Sequence, residues 1–546
     1  MILDFVGHTG FFTLQVPTHN QKLLQSISDE HGWDWSNERS TAASRCFFSN
    51  VDYAAAAFID CATPEARAHL APMMAALERS WAADSSRNIR IPADKELWPF
   101  QRASVAYALD RQHTLIADQP GLGKTPQAIA FANEVQAKRV LVICPASIRL
   151  QWMKRIWEWS TMWPRPHVHT ILNGRHGVHP TAPWTICSYD LARSEPIAKA
   201  LAKQHYDVLI LDEAHYLKTI DAGRTRAIFG GGNTPRDFPP LAECADRILA
   251  LTGTPLPNRP REAYTLARNL CWDSIDWLSE EKFRMRFNPS AQVTGVNRRT
   301  GQEYTYVDER TGRHAELQNR LRSHFMVRHL KRDVLTQLPE VVHDIVHMEA
   351  TGPVKQALQA ESMLDIDVDN MDGLSAEVLG NLAVARRLMG IALAPQVADY
   401  AEMCLDGGED KLVIFGHHHA VLDVWGEQLG KYGLVRIDGR CSATLKQHYI
   451  DEFISNPAIR ICIGNLQSMG TGTDGLQQVC RHALFGECSW VFGENQQGID
   501  RLHRGGQDRG VLAEFLVAPG SLTEKILAKS LKKGAVVHSA LDKKFA

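Results

Sequence analysis

Five short apolar runs, HTLIAD, RVLVICP, WTICSYD, DVLILDE and ILALTGT, follow one another between residues 113 and 254, and each ends in a polar or glycine-containing loop. Runs that are apolar throughout fit strands buried on both faces, and strand-loop-helix alternation is how a parallel sheet covered by helices reads. From about residue 411 a second series begins, KLVIFG, LVRIDG, IRICIGN and HALFGE. Between the two series, residues 272–345 predict mostly helix, apart from VTGVNRRTGQEYTYVDERTG, which reads as a hairpin carrying arginines. The expected fold is α/β, with two lobes, each a parallel sheet covered by helices, and a helical insertion between them.

Residues 1–92 read differently. Short alternating runs (MILDFVG, GFFTLQV, CFFS) and two helices near 51–60 and 64–83 predict a small α+β accessory module, followed by the polar, proline-bearing link ADSSRNIRIPADKE. The expected division is 1–92 for this module, 93–345 for lobe 1 with its insertion at 272–345, and 346–546 for lobe 2 with a short tail.

Composition sets few limits. Lys plus Arg number 60 against 62 acidic residues, a net charge of −2, which neither announces nor excludes a nucleic-acid partner, so that case rests on motifs. The eleven cysteines form no C-x-x-C pair, and Cys144, Cys187 and Cys462 sit inside apolar runs, where a thiol acts as a small hydrophobe. A reduced, intracellular protein without structural zinc is expected. No apolar run reaches the roughly 18 residues a membrane span needs, and MILDFVGHTG lacks the basic start and apolar core of a signal peptide.

The chemistry is concentrated at the ends of the apolar runs. IADQPGLGKTPQAIA places a glycine-rich turn between a strand and a helix, ending in Gly123, Lys124 and Thr125. Backbone N–H groups of such a turn cradle phosphates, the lysine reaches the β/γ-phosphates, and the hydroxyl ligates magnesium. Asp118 stands where the strict pattern has its first glycine, and Gly121 completes the turn. DVLILDEAHYLKT ends a strand in Asp212 and Glu213, suited to holding Mg²⁺ and to orienting or deprotonating the attacking water. LALTGTPLPN ends another strand in small hydroxyl residues suited to sensing the γ-phosphate. Near the chain's end, DRLHRGGQ sets Arg501 and Arg504 one helical turn apart, and their expected target is a phosphate held by the upstream loop.

In order and spacing, WPFQ, DQPGLGKT, CPASIRLQW, CSYDL, LDEAH, LTGTPLPN, VIFGHH, RIDGR and DRLHRGGQ resemble the motif set of helicase superfamily two. More closely, the chain resembles the SWI/SNF-type DNA translocases, because FMVRHLKRDVLTQLPE (325–340) is similar to the Arg-rich connector of that group. With FGECSW and the short insertion, it looks most like the annealing-helicase branch of HepA-related, HARP-like proteins that rewind DNA and remodel forks. The resemblance covers about residues 95–530. It implies two RecA-like lobes and an ATP- and Mg²⁺-dependent double-stranded DNA translocase. Gln101 would read the adenine, and Asp118, Gly121, Gly123, Lys124, Thr125 and Gly475 would line the nucleotide site. Thr125 and Asp212 would hold the metal, and Glu213 the water. Arg501 and Arg504 would be arginine fingers supplied by lobe 2. Ser188 and Tyr189 would lie along one DNA strand. Arg320, Arg322, Arg328, Lys331 and Arg332 form the densest basic run, read either as a solvated helix face or as a DNA or lobe-coupling brace.

Several substitutions depart from the family pattern: Gln119 and Pro120 in the phosphate loop, Gly498 and Ile499 before the fingers, Val491 and Phe492 after the tryptophan, and a one-residue slip in SMGTGTDGLQQ. None removes a catalytic group. Forked DNA is an expected partner and nucleosomes are not, since no histone-reading or zinc appendage follows lobe 2. The compact form looks like bacterial or phage members. A strand-separating DNA or RNA helicase and an inactive DNA-binding scaffold stay open as alternatives. Residues 1–92 weakly resemble the branch's accessory domain, which implies DNA-structure recognition; Trp33 and Trp35 could stack on bases there but read first as core. DIDVDNMDG mimics the start of a calcium loop, yet Asn370 replaces the turn glycine and Ala376 the bidentate acid, so it reads as an acidic surface loop. His417, His418 and His419 are adjacent and cannot all face one metal.

Overall fold

The structure is a computed structural model that describes residues 1–7, 11–18, 24, 27, 33–36, 40–41, 44–49, 51–162, 165–231, 237–256, 259–296, 303–309, 313–364, 376–470, 473–489 and 491–528. The acidic loop DIDVDNMDG, Trp490 and the basic tail lie outside the described residues.

The N-terminal module is a four-stranded antiparallel sheet, β1 (Ile2–Val6), β2 (Phe11–Pro17), β3 (Asp34–Ser36) and β4 (Ser44–Ser49), in the order β1-β2-β4-β3. The expected helices appear as Asp52–Ala55 running into a 3₁₀ turn, Ala56–Cys61, and as Pro64–Trp81. Thr63 caps the second by accepting the Ala66 amide, with Pro64 at the first helical position, where its missing N–H costs nothing. Leu3, Phe12, Leu14, Trp33, Phe47 and Leu70 form its core, and Ala315 from the connector helix joins them. Trp33 is therefore a core residue, whereas Trp35 is exposed with Arg45 5.2 Å over its ring.

Lobe 1 holds β5 (His113–Ile116), β6 (Val140–Cys144), β7 (Val168–Thr170), β8 (Trp184–Ser188), β9 (Tyr206–Asp212) and β10 (Ala245–Leu251). The insertion carries the hairpin β11 (Ser290–Val296) and β12 (Glu303–Glu309), antiparallel as expected, and then the helix His314–His324. The two-residue strand β13 (Met326–Val327) closes the sheet, giving the order β13-β5-β10-β9-β6-β8-β7, parallel throughout. The connector thus contributes an edge strand to lobe 1, which its apolar MV pair alone did not announce.

Lobe 2 comprises β14 (Val341–His347), β15 (Leu412–Gly416), β16 (Leu434–Ile437), β17 (Ile461–Asn465), β18 (His482–Phe485) and β19 (Val511–Val517), in the parallel order β14-β19-β18-β15-β17-β16. Because β14 pairs along its whole length with β19, the second sheet begins at Val341, ahead of the boundary expected at 345. Cys144, Cys187 and Cys462 are buried in β6, β8 and β17, and the cysteines are free thiols. Among the described residues, no helix is long and apolar enough to cross a membrane.

Parallel pairing is what gathers the site. In register, Leu251 stands beside both Ile116 and Asp212, so the loops after β5, β9 and β10 leave one edge of the sheet side by side. Open parallel sheets bind ligands outside the carboxyl ends of their strands for this reason.

Candidate active site

The loop 118–123 turns from β5 into the helix Lys124–Glu134. Gly121 (φ 88°) and Gly123 (φ 75°) take left-handed conformations that a side chain would strain. A Cβ at Gly123 would also stand 2.5 Å from Gln101 Nε2, and one at Gly121 2.8 Å from the Cβ of Arg504. Lys124 is tethered by its own loop, its Nζ donating to the Asp118 carbonyl at 2.7 Å. Burial lowers its pKa, opposed by the charges of Glu213, Asp118 and Asp212.

β9 delivers the acid pair. Trp152 Nε1 donates to Asp212 Oδ2 at 2.7 Å, fixing that carboxylate from the helix Arg149–Trp159. Glu213 sits at φ 52°, a left-handed position costing about 1–3 kcal/mol, which turns its carboxylate off the strand line. His215 Nδ1 is 3.2 Å from Glu213 Oε2 and 3.0 Å from Thr252 Oγ1, and that hydroxyl accepts the Thr254 amide at 3.1 Å. The TGT loop is therefore wired to Glu213 through His215. Burial, reinforced by the charge of Glu213, lifts the Asp212 carboxyl above the usual range. Burial pushes Glu213 the same way but is outweighed by the hydrogen bond and charge of His215 and the charge of Lys124, which hold it low and ionised.

Lobe 2 faces this edge with the helix Phe492–Ile499 and the turn that follows. Arg501 is buried and donates to the carbonyls of Thr473, at 3.1 Å, and Gly470. Burial and the charge of Arg504 bring its pKa down to about 10, so it remains cationic. Arg504 reaches Asp474 Oδ1 at 2.8 Å. One cleft of about 600 Å³ is lined by Gly121, Gly123, Lys124 and Thr125 from the glycine-rich loop, Asp212 at the end of β9 and Glu213 just after it, and Asp474, Gly475, Arg501 and Arg504 from lobe 2.

Not every expected residue faces that cleft. Asp118 is fully buried beneath the loop, bonded to Gln127 Nε2 (2.9 Å), Ser104 Oγ (3.2 Å) and the His329 amide (2.8 Å), so it braces the turn rather than contacting a ligand. Gln101 is buried with its amide committed, accepting from the Trp98 amide at 2.9 Å and donating to the Leu122 carbonyl at 3.0 Å. Ser188 is buried and caps the short helix Tyr189–Ala192, and Tyr189 is buried with its hydroxyl donating to the Asp212 carbonyl at 2.8 Å. Their expected place on a DNA strand is corrected to support of β8 and β9.

The basic run is corrected likewise: only Arg332 is exposed. Arg320 is buried against Glu316 (2.7 Å) and Asp276 (2.6 Å). Arg322 lies 3.3 Å over the Trp81 ring and donates to Ser80 Oγ at 3.2 Å, binding the connector to the N-terminal module. Arg328 donates to the carbonyls of Ala117 (2.6 Å) and Gly253 (3.1 Å), joining the roots of the phosphate and TGT loops. Lys331 donates its backbone N–H to Gln119 Oε1 at 2.7 Å and its Nζ to Asp500 at 2.5 Å and to the His503 carbonyl. A solvated face does not fit the buried members of this run: Lys331 reaches lobe 2 through Asp500, whereas Arg320, Arg322 and Arg328 brace lobe 1 and its contact with the N-terminal module.

Sequence reasoning missed His329, Arg155 and Asp474. His329 bonds Asp118 through Nδ1 (2.9 Å) and the Ala82 carbonyl through Nε2 (2.9 Å), a pairing of positions far apart that no local pattern signals. The adjacent histidines at 417–418 form a loop pinned by Glu487, which takes both backbone amides and His418 Nδ1. Cys404, His482 and Glu514 come together, but both Glu514 oxygens are committed, to His482 Nε2 (2.7 Å) and the Tyr400 hydroxyl (2.9 Å).

A family model described as SNF2-related domain matches residues 100–396. The DNA annealing helicase and endonuclease ZRANB3 of Bos taurus is 28% identical over 456 residues, covering 82% of this chain and 41% of that protein. SWI/SNF-related matrix-associated actin-dependent regulator of chromatin subfamily A-like protein 1 of Xenopus tropicalis is 29% identical over 455 residues, covering 81% of this chain and 45% of that protein. The chain thus spans less than half the length of these curated relatives. A solved structure of the Sulfolobus solfataricus SWI2/SNF2 ATPase core in complex with dsDNA covers 84% of this chain and 96% of its own, at 18% identity and a TM-score of 0.37.

Proposed function

Because the chain belongs to the SNF2-related domain family, matched over more than half its length, we propose that it is a DNA-dependent ATPase that translocates along double-stranded DNA. The observation that carries the reading is the convergence of Lys124, Thr125, Asp212 and Glu213 from one lobe with Arg501 and Arg504 from the other on a single cleft. A scaffold that only bound DNA would have no use for that complete set. In this reading the lobes are RecA-like units at 93–340 and 341–546, and residues 1–92 are an accessory module.

Gly121 and Gly123 let backbone amides approach the phosphates, and Lys124 gives up loop carbonyls to reach them. The hard oxygen donors of Thr125 and Asp212 line the same cleft and suit Mg²⁺, which when bound would neutralise phosphate charge. Glu213, held ionised by His215 and Lys124, orients the attacking water. Arg504 and Arg501 stabilise charge on the transferred phosphoryl group, a contribution worth roughly 10³–10⁵ in rate. Since these arginines belong to lobe 2, hydrolysis requires lobe closure, and closure is the motion that moves DNA. Affinity for DNA would rest on phosphate contacts, with weak sequence preference and strong salt dependence.

Annealing of complementary strands, with fork remodelling as a related task, is the specific activity we assign, the first by analogy with the DNA annealing helicase among the relatives. Triplex displacement tests translocation: ATP-dependent release of a third strand from an intact duplex is expected. Separation of a forked duplex without triplex release would instead establish a strand-separating helicase.

A further inference from the structure

Two guanidinium groups from opposite lobes meet on one carboxylate. Arg155, on the lobe 1 helix Arg149–Trp159, donates through Nη2 to Asp474 Oδ2 at 3.0 Å. Arg504, the lobe 2 finger, donates through Nη1 to Asp474 Oδ1 at 2.8 Å. Each carboxylate oxygen takes one arginine, and all three residues line the cleft that holds Lys124, Asp212 and Glu213. Burial opposes charge on Asp474, but Arg504 and Arg155 outweigh it and keep the carboxyl below its ordinary range. Arg155 has a second acceptor, Glu158 Oε2 at 2.8 Å, three residues along its own helix.

A carboxylate that accepts from a guanidinium does what a phosphate oxygen does, with less charge. The Cβ of Arg504 lies against Gly121, so its head group has two anionic partners within reach: Asp474, and any phosphate cradled by the loop. It cannot donate the same N–H to both. We propose that Asp474 is a resident anion that competes with the nucleotide's phosphate for Arg504, with Arg155 as the positioning residue that draws Asp474 toward lobe 1 and so weakens its hold on the finger. Asp474 sets nucleotide affinity, and the Arg155–Asp474–Arg504 bridge ties the two lobes across the cleft mouth. The inference rests on the nucleotide-binding reading above and adds to it a residue that works against binding.

The test is a cycle of Asp474→Asn, Arg155→Gln and the double variant. ATPase kinetics are measured with duplex DNA, and binding of a fluorescent ATP analogue is measured separately. Asp474→Asn should lower KM and the analogue's Kd by roughly two- to fivefold, the range for a partly exposed ion pair. Arg155→Gln should raise both, because Asp474 then holds Arg504 alone. The double variant should match Asp474→Asn. Wild-type protein that neither binds the analogue nor hydrolyses ATP would overturn the nucleotide reading itself. An active wild type whose KM and Kd are unmoved by Asp474→Asn, with only its melting temperature changed, would overturn the inference and leave that reading standing. A KM increase from Arg155→Gln that persists when Asp474→Asn is also present would overturn the positioning role, since Arg155 would then contact nucleotide directly.

Discussion

Lys331 Nζ lies 2.5 Å from Asp500 Oδ1, each side chain only 5% exposed, so a connector residue at the edge of lobe 1 is paired with the residue preceding Arg501 in lobe 2. The Lys331 backbone N–H also donates to the side-chain oxygen of Gln119 in the glycine-rich loop. One residue thus touches the glycine-rich loop of lobe 1 and the segment before Arg501 in lobe 2 at once.

Lys331→Met should leave the Asp500 carboxylate buried without its partner. Breaking such a pair costs roughly 3–5 kcal/mol, more than replacing both members would. A lower melting temperature and a loss of DNA-stimulated ATPase are expected, with Asp500→Asn milder. Thermal melts of both variants that overlay the wild type would refute the brace.

Arg504→Ala should lower kcat by roughly 10³-fold or more while sparing the fold, since its ion-pair partner Asp474 is a partly exposed carboxylate. Arg501→Ala should lower kcat and stability together, because Arg501 is buried and satisfies the carbonyls of Gly470 and Thr473. Calorimetry beside single-turnover hydrolysis separates the two; equal stability losses would mean that Arg501 is not structural.

His329 makes stability depend on pH in a stated direction. Burial opposes its charge, but Asp118 prevails and raises its folded pKa above the ordinary value. Its contribution is fully present below the unfolded value, roughly 6.5, and is lost as pH rises through the folded one. Other charged groups facing it include Arg322, which opposes the shift. His113, His324, His343, His417 and His503 are shifted down mainly by burial, so they act oppositely and only a difference measurement isolates His329. Wild-type stability minus that of His329→Gln, from urea melts between pH 6 and about 9, should shrink with rising pH. A constant difference would show that His329 is neutral throughout.

Removal of residues 1–82 should destabilise the whole chain instead of excising an independent module. Trp81 stacks under Arg322, Ser80 Oγ donates to the Met326 carbonyl at 2.9 Å, and Ala82 accepts from His329. Trp35→Ala, at an exposed position, is the clean test of forked-DNA binding by this module. A truncated chain with wild-type melting temperature and ATPase would contradict the packing.

What the sequence made legible was whatever is local. The runs ending in Asp118, Ser188, Asp212 and Thr254 announced parallel strands whose loops share one edge, and the spacing of Gly121, Gly123, Lys124 and Thr125 announced a glycine turn into a helix. Burial of charge was not legible. Arg320, Arg322, Arg328 and Lys331 read as a basic face, yet each is bonded to an acceptor far away in sequence, a carboxylate for Arg320 and Lys331 and a neutral oxygen for Arg322 and Arg328. Periodicity cannot reveal such partners, because burying an arginine depends on what another element offers it. Asp474 was hidden for a similar reason: a lone acid in a glycine-rich loop has no pattern, and its two arginines come from different lobes.

The central claim, nucleotide hydrolysis coupled to duplex DNA, is tested most directly by the steady-state ATPase rate with no nucleic acid, single-stranded DNA, duplex DNA, forked DNA and RNA, with Lys124→Ala as the blank. The account predicts strong stimulation by duplex or forked DNA that vanishes in the blank. Preference for single strands or RNA would contradict the translocase assignment, and a rate equal to the blank on every nucleic acid would contradict the active site itself.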